Sequence, residues 1–125
     1  MEVKGKETLV TATSTINGAE DFLLHLRVEE ANKGIQIQRS LQYIGKEKVL
    51  IEHRTPLVSV SYNKSNHDFT GSFISKELNK GDIYDAHDVT LPYPESKDNN
   101  IYIHASFISN GKQINIDHVE QLTFQ

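Results

Sequence analysis

Cysteine and tryptophan are both missing from the 125 residues. Without cysteine there is no disulfide, no thiolate nucleophile and no cysteine-ligated zinc or iron-sulfur site. Long apolar runs are missing too. The longest are three residues, as in Phe22-Leu23-Leu24 and Val49-Leu50-Ile51, far short of the roughly 20 that a membrane helix needs. Positive charge is in deficit: 13 basic residues face 17 acidic ones, for a net charge of −4. That removes the basic field that draws proteins to phosphate backbones, so no nucleic-acid partner is expected. Alanine, the best helix former, occurs five times against twelve isoleucines, eight valines and eight threonines. β-Branched side chains lose rotamer freedom in helices and pack well on a pleated surface, so the balance favours strands.

Period-two alternation recurs along the whole chain, and no window carries a helical apolar stripe. Phe22, Leu24, Leu26 and Val28 alternate with His25, Arg27 and Glu29, the pattern of a half-buried antiparallel strand. Strands are predicted before it from Thr8 to Ile16, and after it from Ile35 to Tyr43, Lys48 to His53, Leu57 to Tyr62, Phe69 to Leu78, and Ile83 to Val89. Two more contain Ile101 to Phe107 and Ile114 to Phe124. Turn signals separate them: Asn17-Gly18, Asn32-Lys33-Gly34, Asn79-Lys80-Gly81-Asp82 and Asn110-Gly111. Pro56 breaks or bends a ladder, Gly71 suits a bulge, and His118 and Glu120 falling on the apolar parity suggests a bulge or bend near Asp117. Turns about every ten residues predict an all-β, immunoglobulin-like antiparallel β-sandwich of eight or nine strands, with an open-ended barrel as the alternative. It occupies residues 8–125 behind a polar leader, residues 1–7. The predicted core is Phe22, Leu24, Leu26, Val49, Ile51, Ile103, Ala105 and Phe107.

Chemistry is harder to place. The histidines, His25, His53, His67, His87, His104 and His118, show no recognised ligand spacing. The tightest cluster is Asp85-Ala86-His87-Asp88, which would need His53 or His104 from other strands to complete a metal site. No nucleophile elbow, phosphate loop or helix N-terminus is present. The expectation is a non-enzyme with no catalytic residues, no metal and no cofactor. Two segments read as binding surfaces. Glu52-His53-Arg54-Thr55-Pro56 packs three ionisable groups before a proline, and Pro92-Tyr93-Pro94 pins an aromatic ring between rigid residues, lowering its entropy cost on contact. These predict binding of a protein partner through loops at a sandwich end.

Leu78-Asn79-Lys80-Gly81-Asp82-Ile83-Tyr84, Val89-Thr90-Leu91 and Ile101-Tyr102-Ile103-His104-Ala105-Ser106-Phe107 together resemble the strand-turn-strand ending of the BsuPI-type bacterial intracellular proteinase inhibitors. Phe22 to Val28 is similar to their early core strand. The chain departs from them at Lys97-Asp98-Asn99-Asn100, where the family has a proline-glycine turn, and no inhibitory loop maps across residue by residue. The resemblance implies a cytoplasmic, proteinase-inhibitor-like binding module. The alternative expectation is an extracytoplasmic domain of a bacterial lipoprotein or secreted protein, with a structural or cell-envelope role and its export segment cut away before Met1.

Overall fold

The computed structural model describes residues 8–18, 21–32, 34–62, 71–86, 88–94 and 99–125. These form ten strands: β1 Ala12–Asn17, β2 Phe22–Ala31, β3 Gly34–Tyr43, β4 Val49–Arg54, β5 Val58–Ser61, β6 Phe73–Leu78, β7 Ile83–Asp85, β8 Val89–Leu91, β9 Asn100–Ser109 and β10 Lys112–Gln121. All pairings are antiparallel, in two sheets that make a β-sandwich. One sheet runs β1-β2-β3 with β7 and β8 both on the far side of β3; the other runs β10-β9-β4-β6 with β5 also on β9.

The strand number exceeds the expected eight or nine because two strands are interrupted. Glu52 pairs with Ile108 and Val58 with Ala105, so five residues of the β4–β5 segment stand against two of β9. Pro56, which has no amide donor, sits in that excess. In the other sheet Ser40 pairs with Asp85 and Ile37 with Val89, so the β7–β8 segment carries one residue more than β3. The extra residue resets the side-chain parity and turns Val89 inward, as β-bulges do. Ile83 to Val89 is therefore two strands, not the single predicted one. His87 lies outside the described residues, as do His67 and the stretch leading up to Thr70.

Alternation places the core as expected. All eight predicted core residues are buried, together with Ile35, Ile37, Leu41, Ile101, Ile114 and Ile116. Phe22 links the sheets: its ring lies 4.8 Å from Phe107 edge-on and 5.2 Å from Tyr43. Asn110-Gly111 forms the predicted hairpin turn, both residues at positive φ. Asn17-Gly18 does not. There Asp21 takes the positive φ, while Gly18 lets the chain approach Ile116, whose Cδ1 lies 2.5 Å from where a Cβ would stand. Three other expectations also change. β1 begins at Ala12, with Leu9 instead bridging to Phe124. Gly71 precedes β6 rather than bulging it, packed so that a Cβ would fall 1.7 Å from Thr55 Oγ1. The β9–β10 register runs unbroken through Asp117, so no bulge is present and His118 and Glu120 point inward as a half-buried pair.

Gly34 is required where β2 turns into β3. A Cβ there would lie 2.1 Å from the Leu91 carbonyl oxygen, and that backbone atom belongs to the β8 pairing with Ile35. Gly34→Ala is expected to cost about 1–3 kcal/mol as an overpacked site and to raise hydrogen exchange across Val89–Leu91. Wild-type exchange rates in the variant would show that β8 has room to yield.

Candidate functional site

The sandwich has two open sides, and they are treated differently. On the first, edge strands β1 and β10 are tied together. Ser14 Oγ donates to Glu120 Oε1 (3.0 Å), which His118 Nε2 also approaches (2.9 Å). Beyond them Thr8 and Gln125 exchange backbone hydrogen bonds of 2.7 and 2.9 Å. The inward polar residues of β10 that broke the apolar pattern thus close a side.

On the second open side, β6 faces β7 and β8, and among the described residues no backbone hydrogen bond joins them. Lys76 Nζ lies over the Tyr84 ring at 5.7 Å. Here the interruptions of the two sheets face one another and leave a cleft of about 570 Å³, within the range of small-molecule sites. One wall comes from Thr55, Pro56 and Leu57 with Ile74 of β6, the other from Tyr84, Asp85, Ala86 and Val89, and Arg39 and His53 complete the lining.

Arg39 is 5% exposed and His53 4%. Arg39 occupies an inward position of β3, between Ile37 and Leu41 and across from Leu26. Burial pushes its guanidinium below its ordinary range, and the Asp88 carboxylate only partly restores it; the uncompensated share is desolvation of the charged form. His53 Nδ1 lies 2.9 Å from the Arg54 carbonyl oxygen and Nε2 2.9 Å from Tyr84 Oη. A carbonyl only accepts, so Nδ1 carries a proton; in the neutral ring Nε2 then accepts the Tyr84 hydroxyl proton. Partial burial raises the Tyr84 phenol above its usual value, which keeps that proton in place.

The predicted binding residues are divided by this arrangement. Within β4, Glu52 and Arg54 face outward while His53 faces the cleft. Arg54 stacks over the Phe73 ring at 5.6 Å and its Nη1 donates to the Gly71 carbonyl. The 52–56 segment therefore lies along a side of the sandwich, not at an end. Pro92, Tyr93 and Pro94 do lie at an end, beside the β2–β3 turn, where the Tyr62 hydroxyl donates to the Pro92 carbonyl (2.5 Å). Burial pushes that Tyr62 phenol up to about 12. Tyr93 is 41% exposed, and its segment contributes nothing to the cleft. The histidines disperse: His104 faces outward beside Asp117, on the opposite face of its sheet from His53. His25 lies on the outer face of the first sheet, between Thr15 and Gln42.

Of the cleft lining only His53, Thr55 and Pro56 fall within the predicted binding segments; Arg39, Leu57, Ile74, Tyr84, Asp85, Ala86 and Val89 do not. A signal for Arg39 existed, since it occupies the inward parity of Ile35, Ile37 and Leu41. Neither a protein-family model nor a curated protein nor a solved structure matches this chain.

Proposed function

We propose that the chain is a non-enzymatic polypeptide-binding module that takes up an extended segment of a partner protein along the free edge of β6. The observation that carries this is the strand itself. Five of its six residues are exposed, and among the described residues it pairs with β4 alone. An unpaired edge is a template for another strand, and proteins usually blunt it with charge, proline or a bulge. In β6 the charges, Lys76 and Glu77, sit toward one end, leaving Phe73 (50% exposed) and Ile74 (38%) at the other. Strand addition uses the backbone groups for affinity and alternate side chains for specificity. Proteinase inhibition is the sharper version of this reading and rests on the BsuPI-type resemblance; the immunoglobulin-like label belongs to the same reading.

Peptides selected from a random library on the immobilised protein are expected to protect the Phe73–Leu78 amides from hydrogen exchange. They should bind Ile74→Asp at least roughly tenfold more weakly, the loss of one apolar contact at a strand-addition site. Binders that protect a different strand, or a library without a saturable binder, would overturn the proposal. A subtilisin-type protease that keeps full activity at excess protein would remove inhibition alone.

A further inference from the structure

The two faces of β6 set what a segment added to its edge can carry. Ile74, Lys76 and Leu78 pair with His53, Ile51 and Val49 of β4, whose side chains are buried, so all three stand on the inner side of the sheet. Leu78 is itself buried, while Ile74 and Lys76 are exposed. Phe73, Ser75 and Glu77 stand on the outer side, where Glu77 meets Lys48 at 3.3 Å. An added strand keeps the pleat. A residue directly opposite an inner residue also points inward, the two Cβ atoms about 4.5–5.5 Å apart. The inner positions opposite Ile74 and Lys76 are therefore two residues apart in the added segment, and their surroundings differ. Ile74 forms a wall of the 570 Å³ cleft with Pro56 and Leu57, and Tyr84, Ala86 and Val89 face it. Arg39 and His53, which complete the lining, have interactions of their own, so recognition falls to the apolar remainder. Lys76 Nζ lies over the Tyr84 ring at 5.7 Å with its side chain still exposed. The carboxylates of the opposite wall are turned the other way. Asp85 pairs with Ser40 on the outer parity of β3, and Asp88 accepts from Gln36 Nε2 at 3.0 Å.

We infer, on the basis of strand addition at β6, that the partner segment carries a large apolar side chain and, two residues from it, an aspartate or glutamate. The apolar side chain lies opposite Ile74 and enters the cleft, where it covers the walls formed by Pro56, Leu57 and Val89. The volume suits leucine, methionine or phenylalanine, and an alanine would leave most of it unfilled. The carboxylate lies opposite Lys76, where opposite charges on directly paired residues attract, and the Tyr84 ring holds the ammonium in place without neutralising it. The spacing of two is the period of the strand itself, so one extended segment satisfies both positions at once.

Peptides selected from a random library on the immobilised full chain are sequenced and aligned, and hydrogen exchange locates each binder. Binders are expected to protect the Phe73–Leu78 amides, to shift the methyl signals of Leu57, Ile74 and Val89, and to share a large apolar and an acidic residue two apart. Replacing the apolar residue of a selected peptide by alanine should weaken binding at least roughly tenfold. Replacing the acidic one should weaken it about twofold to fivefold, the range of a cross-strand charge pair. Repeating the selection on Lys76→Glu should exchange the acidic residue for lysine or arginine and keep the apolar one, a switch that a merely structural lysine would not produce. Binders that protect another strand, or a library without a saturable binder, would overturn this inference together with strand addition. Binders that protect Phe73–Leu78 but lack either preference, or keep the acidic residue against Lys76→Glu, would overturn this inference and leave strand addition standing.

Discussion

Phe107→Ala is expected to lower the unfolding free energy by about 3–5 kcal/mol, the range for removing a buried aromatic ring. Phe107 is 1% exposed, and its ring meets Phe22 of the opposite sheet edge-on. Removing it loses the transfer free energy of the ring, an aromatic pair worth about 0.5–1.5 kcal/mol beyond area, and the contacts of whatever cavity remains. Little collapse is available, because β9 is held in an unbroken ladder with β10 on one side and by β4 and β5 on the other. Against a typical domain stability of about 5–15 kcal/mol, the loss is a large fraction of the total. Urea denaturation measures it, with Phe73→Ala as the contrast. Phe73 is half exposed, so its truncation should change stability by less than about 1 kcal/mol. Similar midpoints for the two variants would mean that Phe107 does not bridge the sheets.

Sequence patterning made most of the frame legible because the two periodicities that decide it are local. Residues two apart share a face in any strand, so Phe22 to Val28 and Ile101 to Phe107 declare their buried sides without reference to partners. Register changes are not local. The excess residue between β7 and β8 is defined only against β3, and the excess around Pro56 only against β9. Pro56 announced an interruption but not its size, and nothing in Asp85-Ala86-His87-Asp88 distinguishes a bulge from a continuing strand. The bulge allowed for near Asp117 is absent for the opposite reason. Polar residues at inward positions were read as a change of parity, whereas His118 and Glu120 keep parity and find polar company in Ser14 across the open side.

The cleft combines both kinds of non-local information, which is why only part of it could be read from the chain. His53 and Pro56 fell within a segment chosen for its density of ionisable groups, yet Glu52 and Arg54 face away from the cleft because neighbours in a strand point to opposite faces. Arg39 carried the clearest local signal. A charge on an otherwise apolar parity is either tolerated at a sheet margin or placed for a purpose, and only its 5% exposure decides that it is buried. Tyr84 could not have been paired with His53 in advance, since they lie 31 residues apart on different sheets and meet only because β4 and β7 face each other.

Arg39→Met is expected to leave the fold intact and raise its stability by about 1–4 kcal/mol, the gain often found when a buried charge gives way to a well-packed apolar side chain. Methionine is unbranched and adapts to the space left by the arginine stem, between Ile37 and Leu41 and across from Leu26. Breaking a buried ion pair is normally costly because the abandoned partner stays buried and uncompensated. Asp88 is exposed, so its carboxylate returns to water when the guanidinium is removed. The downward displacement of the Arg39 pKa points the same way, because desolvation already outweighs the attraction to Asp88 in the native state. Urea denaturation at neutral pH measures the difference, and Arg39→Lys serves as the control that retains a buried cation. A loss of more than about 1 kcal/mol in Arg39→Met would assign the arginine to holding the interrupted edge of the sheet together. A gain would mean that the buried guanidinium costs the fold more through desolvation than its interactions return.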